Sequence, residues 1–160
     1  LQQLQQVEAT ELEQGPIFCN TVGGLGSPDW RAGIEPYFLE AGSTEQNLAA
    51  IIESIVFLLQ RNFVLLNAVA AITQLTISGG LSRSQQFCQK LSDLTQVAVT
   101  RFECEEATAR GAAFLLLPDR SNWQVMPGQT FSPCQPNDSR FDLLRTRHQL
   151  WQQQMQLLLE

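Results

Sequence analysis

Between Leu48 and Leu66 apolar side chains recur every third or fourth residue. Leu48, Ile51, Ile52, Ile55, Leu59, Phe63 and Leu66 fall on one face, which predicts a long helix with its apolar stripe against a core. Ser43, followed by Thr44 and by Gln46 three positions on, supplies the capping box that starts it. A shorter helix is predicted after Ser82, which with Gln85 reads as a second capping box ahead of Phe87, Cys88, Leu91 and Leu94. Near the end, Phe141, Leu144, His148, Trp151, Met155 and Leu158 line one side of a terminal helix capped by Asp138 or Ser139. At the start, Leu1, Leu4 and Val7 mark a glutamine-rich amphipathic helix to Glu13, with Gln2, Gln3, Gln5 and Gln6 as its solvated face.

The pattern changes period between these helices. Leu75, Thr76 and Ile77 form a β-prone run read as the central strand, and Val97, Ala98 and Val99 form another. Glu103, Glu105 and Glu106 then open a narrow helix of Ala107, Ala109, Ala112 and Ala113, in which Gly111 permits close packing and which Pro118 ends. Strand, helix, strand, helix in this order predicts a parallel pair with a right-handed crossover in a layered α/β sheet. From 14 to 42 short apolar runs, Ile17 to Cys19 and Tyr37 to Leu39, flank a loop marked by Gly23, Gly24, Gly26 and Pro28, with Trp30 filling a gap. From 117 to 137 the prolines Pro118, Pro127, Pro133 and Pro136 predict an extended surface connector. The organisation is one domain over 1–160, with an α-β-α-β-α core at 43–116 and the terminal helix at 138–160.

Composition narrows the function classes. The formal charge is −6 with ten Lys plus Arg, which leaves no basic stripe and argues against nucleic acid. The most apolar stretch, Leu48 to Ala71, is interrupted by Glu53, Gln60, Arg61, Asn62 and Asn67, which argues against a membrane span. Cys19, Cys88, Cys104 and Cys134 lie far apart and His148 stands alone, so no structural zinc spacing exists. With no basic segment leading into an apolar core, no secretory signal is visible and a cytoplasmic protein with reduced thiols is expected. The chain begins at Leu1 inside a helical pattern, as a piece of something longer would. His148 has no Ser, Cys or acid at a known catalytic spacing and reads as a helix-face histidine.

Candidate chemistry lies between Ile72 and Lys90. There a strand runs into Gly79 and Gly80, and a helix start follows. Paired glycines let a ligand approach the main chain, and a strand, glycine turn and helix N-terminus together suit a nucleotide phosphate. The stretch is neither a G-x-G-x-x-G fingerprint nor a G-x-x-x-x-G-K-[ST] loop, so a plain β-α turn stands beside the nucleotide reading.

In combination the motifs resemble the C-terminal domain of the FGGY family of carbohydrate kinases, within the actin-like ATPase, ribonuclease H-like superfamily. Gly24-Leu25-Gly26-Ser27-Pro28-Asp29-Trp30 is similar to the family's G-x-x-[ST]-P-x-W loop. Asn47 to Leu59 resembles its long helix, Leu75 to Ser84 its adenosine-binding G-G-x-x-x-[SN] turn, and Cys104 to Ala113 its E-E-A-T-A-x-G-A-A helix. Phe131-Ser132-Pro133 and the terminal helix resemble its closing segment. The fold implied is a partial ribonuclease H-like domain, a short parallel sheet flanked by helices with a long C-terminal helix.

The activity implied is transfer of the ATP γ-phosphoryl group to a sugar or polyol hydroxyl, with Mg²⁺. The resemblance places Gly79 and Gly80 against the nucleotide, with the Gly80 N–H near its phosphates, Leu81 under the base or ribose and Ser84 at the adenine. Glu106 and Gly111 would serve the adjoining helix, shaping the pocket more than touching ligand. The family's D-x-G-T loop, G-T-S segment and catalytic aspartate have no counterpart here, and Asp29 and Asp93 read as surface or loop acids. The resemblance thus implies ATP or ADP as partner, no catalytic residue in this chain, and a sugar site in an N-terminal domain outside it. It also implies an exposed sheet edge, with a homodimer as one way to cover it. Leu25-Gly26, where relatives have Glu-Arg, and the lack of R-G-x-F-x-G between Gly33 and Leu39 leave the subfamily open. An alternative is a non-catalytic interaction module with a purely structural Gly-Gly turn; another is a chaperone-like or actin-like ATPase, against which the G-x-x-S-P-x-W loop and terminal helix argue.

Overall fold

The computed structural model describes residues 15–104, 106–119, 121, 123–124 and 126–160. The helix expected from Leu1 to Glu13 and the acid at Glu105 lie outside the described residues. Two antiparallel two-residue strands, β1 (Phe18–Cys19) and β2 (Tyr37–Phe38), lead into the long helix α1 (Thr44–Val69). Next come β3 (Gln74–Ile77), a 3₁₀ turn (Gly80–Arg83), α2 (Gln85–Thr95), β4 (Ala98–Phe102) and α3 (Ala107–Leu116). The chain ends with β5 (Gly128–Phe131) and α4 (Ser139–Leu159).

Ser43 starts α1 as a complete capping box, its hydroxyl accepting from the Gln46 N–H while the Gln46 side chain accepts from the Ser43 N–H at 2.9 Å. The stripe that packs is rotated from the expected one. Ala49, Ala50, Glu53, Ser54, Val56, Phe57 and Phe63 are buried, whereas Ile51, Leu59 and Leu66 are exposed. Glu53, named above only as an interruption of the apolar run, falls on the stripe that packs. It is in fact buried, because Lys90 Nζ lies 2.7 Å from its Oε1 and Arg147 Nε donates to its Oε2 at 2.8 Å. Arg147 also donates to the carbonyls of Gly15 and Pro16, so one carboxylate ties α1, α2, α4 and the entry to β1 together.

By length and composition α1 would cross a bilayer. Its midpoint carboxylate paired to two other helices, and an aromatic cluster on the same side, make it the core helix of this domain. Phe57 packs at 5.6 Å from Trp151 and 5.2 Å from His148, centroid to centroid, and His148 stacks on Trp151. Trp151 is fully buried, and Leu144, Met155 and the partly buried Leu158 complete the α4 face. Asp138 caps α4 by accepting from the Arg140 N–H, one of the two caps expected there. Its ion pair and hydrogen bonds with Arg140 draw the Asp138 carboxyl down to about 2.

The three-stranded sheet has the order β3-β4-β5. β3 and β4 are parallel as expected, but β5 pairs antiparallel on the far side, so the sheet is mixed and β4, not β3, is central. β5 occupies part of the predicted connector. Between Pro127 and Pro133 the residues are free to pair, and at Gly128 a Cβ would press within 3.0 Å of the Phe102 ring. Leu75, Ile77, Val99 and Phe131 pack on the core from one face of the sheet. The other carries Gln74, Thr100 and Thr130, linked by hydrogen bonds of 2.7 and 3.0 Å.

Two further expectations are corrected. Trp30 fills no gap: it is 77% exposed, while its loop is held to α1 by Asp29 to Arg61 at 2.6 Å and by Ser27 to Asn62 at 2.8 Å. Asp93 is buried in α2, accepting from Gln89 and from the Cys134 N–H, rather than lying in a loop. Burial and the neighbouring Asp93 push the Cys134 thiol up to about 11.

Candidate functional site: the glycine turn between β3 and α2

β3 ends at Ile77, and the chain turns through Ser78 into Gly79 at φ 92°. That left-handed conformation favours glycine. No atom lies within 4 Å of where a Cβ would stand at Gly79 or at Gly80, so the main chain there is bare on that side. Of the residues assigned by sequence, Gly80 is exposed and Gly79, Leu81 and Ser84 are half-buried.

The capping assignment moves by two residues. Ser84, not Ser82, caps α2, accepting from the Phe87 N–H at 3.2 Å. Ser82 instead closes the 3₁₀ turn, its hydroxyl donating to the Gly79 carbonyl at 2.7 Å. Because Ser84 spends acceptor capacity on the cap, its hydroxyl proton is left to donate to a ligand. Leu81 packs against the core cluster, so only part of its side chain is available to a base or ribose.

Two side chains from elsewhere hold the turn, and sequence reasoning assigned neither to it. Arg101 on β4 donates through Nη1 to the carbonyls of Ser82 at 2.8 Å and Arg83 at 3.0 Å. The Cys88 S–H donates to the same Ser82 carbonyl at 3.3 Å. Burial raises the Cys88 thiol above its ordinary value, with Arg101 opposing, so the sulfur stays protonated and able to donate. The only sequence signal for Arg101 is its period-two spacing from Val99, which puts both on the sheet face towards α2.

A second depression lies between the opposite sheet face and α3. It is an open cleft of about 430 Å³ lined by Thr76, Ser78, Phe102, Gly111, Phe114 and Trp123 among others. Gly111 borders this cleft but makes no close packing, since nothing lies within 4 Å of its Cβ position. Glu106 stands at the N-cap of α3 without a capping side-chain hydrogen bond. Among the described residues no group of three or more His, Cys, Asp or Glu is placed to hold a metal ion.

A mixed sheet with helices, a glycine turn of bare main chain and a long closing helix define a layered α/β domain. Comparison with known proteins makes this specific. The model of the FGGY family of carbohydrate kinases, C-terminal domain, matches residues 1–117. A glycerol kinase of Leptothrix cholodnii is 32% identical over 152 residues, covering 81% of this chain and 30% of that protein. A glycerol kinase of Ralstonia nicotianae is 38% identical over 108 residues, covering 63% of this chain and 21% of that protein. In structure, Plasmodium falciparum glycerol kinase, crystallised with ADP, superposes with a TM-score of 0.76 at 20% identity, over 99% of this chain and 34% of that one. The chain belongs to the FGGY family of carbohydrate kinases and carries the actin-like ATPase fold of its C-terminal domain. It spans between about a fifth and a third of the length of these relatives.

Proposed function

We propose that this chain is the adenosine-binding portion of a carbohydrate kinase that phosphorylates a hydroxyl of a sugar or polyol. The observation that carries this is the bare main chain of Gly79 and Gly80 in a domain of this family. When bound, ATP supplies the γ-phosphoryl group that passes to the acceptor hydroxyl, leaving ADP. The chain's own residues bind and orient. The Gly80 N–H faces the phosphates, the exposed part of Leu81 lies under the base or ribose, and the Ser84 hydroxyl donates to the adenine. The names of the two curated relatives, both glycerol kinases, favour a polyol acceptor.

No aspartate of this chain is assigned as the general base. Asp29 is engaged by Arg61 and Asp93 by Gln89 and a main-chain N–H, so neither is free to take a proton from a substrate. Among the described residues no cluster of three or more His, Cys, Asp or Glu could hold Mg²⁺ alone. In this reading the base, the metal ligands and the sugar site belong to the longer part of the family's enzymes outside the match, and the chain alone is inactive. Cys19, Cys88, Cys104 and Cys134 are all free thiols, which suits the reducing cytoplasm.

The alternative, an interaction module, is favoured by the exposed Leu115 and Leu116 of α3. Calorimetric titration with ATP separates the two. Gly80→Val has open space for its side chain, so the fold should persist while ATP affinity falls at least tenfold. Equal affinity in the two proteins, or none in the parent chain at millimolar ATP, would overturn the nucleotide reading.

A further inference from the structure

The glycine turn is short. Its 3₁₀ segment has four residues, and the strand before it lies at the edge of the sheet. It is held both within itself and from outside. The Gly79 carbonyl accepts from both the N–H and the hydroxyl of Ser82, which closes the turn upon itself. The Ser82 and Arg83 carbonyls point the other way and converge on one guanidinium, that of Arg101. Arg101 is itself immobilised. Its Nη2 donates to the Gln129 side chain, its cross-strand partner on β5, and its guanidinium carbon lies 5.5 Å from the centre of the Phe131 ring. Five N–H donors in a rigid plane let arginine satisfy several acceptors without the rotamer loss that lysine incurs.

We infer that Arg101 is a positioning residue for the nucleotide: by holding the Ser82 and Arg83 carbonyls to β4 and β5, it fixes the direction in which the Gly79 and Gly80 main chain and the Ser84 hydroxyl face the ligand. This rests on the nucleotide reading above and adds to it. Arg101 acts through the turn and touches no reacting atom. Cys88 is the lesser support, one weak S–H donor on a carbonyl that Arg101 already holds. Bare glycine main chain is useful to a ligand only if its orientation is fixed before binding, since ordering it at that moment lowers affinity.

The test measures ATP affinity by calorimetry and amide hydrogen exchange by NMR on the 160-residue chain and four variants. Arg101→Met keeps the stem and removes every donor; it should weaken ATP binding at least tenfold and speed exchange at Leu81 to Ser84, with Val56 and Phe57 in α1 unchanged. Arg101→Lys, with donors for one or two carbonyls, should fall between parent and Met. Arg110→Met removes the same charge from α3 and should bind ATP like the parent. Cys88→Ser, which keeps a donor on the Ser82 carbonyl, should lose no more affinity than Arg101→Lys does. ATP binding by the parent with equal affinity in Arg101→Met sinks the inference and leaves the nucleotide reading standing. An equal loss in Arg110→Met would make the effect one of net charge and sinks it as well. No binding by the parent removes the nucleotide reading and the inference together. If Arg101→Met is unfolded, the Lys variant and its local exchange decide by the same criteria.

Discussion

The two faces of the three-stranded sheet are built from the same strands and finished very differently. On one, Leu75, Ile77, Val99 and Phe131 close against α2, with α1 and α4 behind it and Glu53 binding the helices together. On the other, a row of hydroxyls and an open cleft face α3, which buries none of its side chains although Leu115 and Leu116 are 70% and 83% exposed. The difference shows where the site takes its rigidity from. Arg101 points to the packed face, so the glycine turn is fastened to the part of the chain that holds itself together.

The sharpest way to break this contrast is to remove the anion at the centre of the packed side. Glu53→Leu leaves the Arg147 guanidinium and Lys90 without their counter-charge, and a buried charge stripped of its partner costs roughly 3–5 kcal/mol. Urea unfolding should show that loss. A change under about 1 kcal/mol would mean that the Glu53 network is a surface feature and not the centre of the fold.

His148 gives an intermediate effect with a pH signature. Burial beside Phe57 and Trp151 lowers it to about 4 from its ordinary value of 6.5, so the folded chain prefers the neutral ring. Between those values the unfolded chain takes up a proton that the folded chain does not, and stability falls as pH drops. From pH 7 to pH 4 the loss attributable to this ring is on the order of 2 kcal/mol. Asp138, drawn down to about 2 by Arg140, loses stability in the same direction at lower pH. His148→Phe should flatten the dependence between pH 6.5 and pH 4; an unchanged slope would place its origin elsewhere.

The smallest effect is expected on the open side. Leu116→Ser should change stability by no more than about 0.5 kcal/mol, as surface substitutions do. A loss above 1 kcal/mol in the same urea experiment would show that α3 is packed in solution and would erase the contrast between the faces.

Local signals in the sequence are the ones that match the structure. The Ser43 and Gln46 capping box, the run of α1, the strand before Gly79 and the cap at Asp138 each depend on residues within a few positions of one another. What was illegible depends on partners far along the chain. Glu53 looks like an interruption of the apolar run until Arg147, 94 positions later, meets it. Arg101 looks like an ordinary strand residue until the fold brings the Ser82 carbonyl to it. β5 hides in a proline-rich stretch because its pairing with β4 is set by register and not by its own four residues. Ser82 was mistaken for the helix cap because a 3₁₀ turn was inserted ahead of α2, shifting the cap to Ser84. The glycine turn itself was legible, and the side chains that position it were not.

The central claim is that Gly79, Gly80 and Ser84 form a nucleotide-binding turn already shaped in this chain. It is tested most directly by following backbone amide shifts by NMR while ATP or ADP is titrated into the folded protein. The account predicts saturable shifts centred on Gly79, Gly80 and Ser84, with smaller ones at Arg101. A well-dispersed spectrum that stays silent at those residues at millimolar nucleotide, or that moves instead around Phe114 and Trp123 in the opposite cleft, would contradict it.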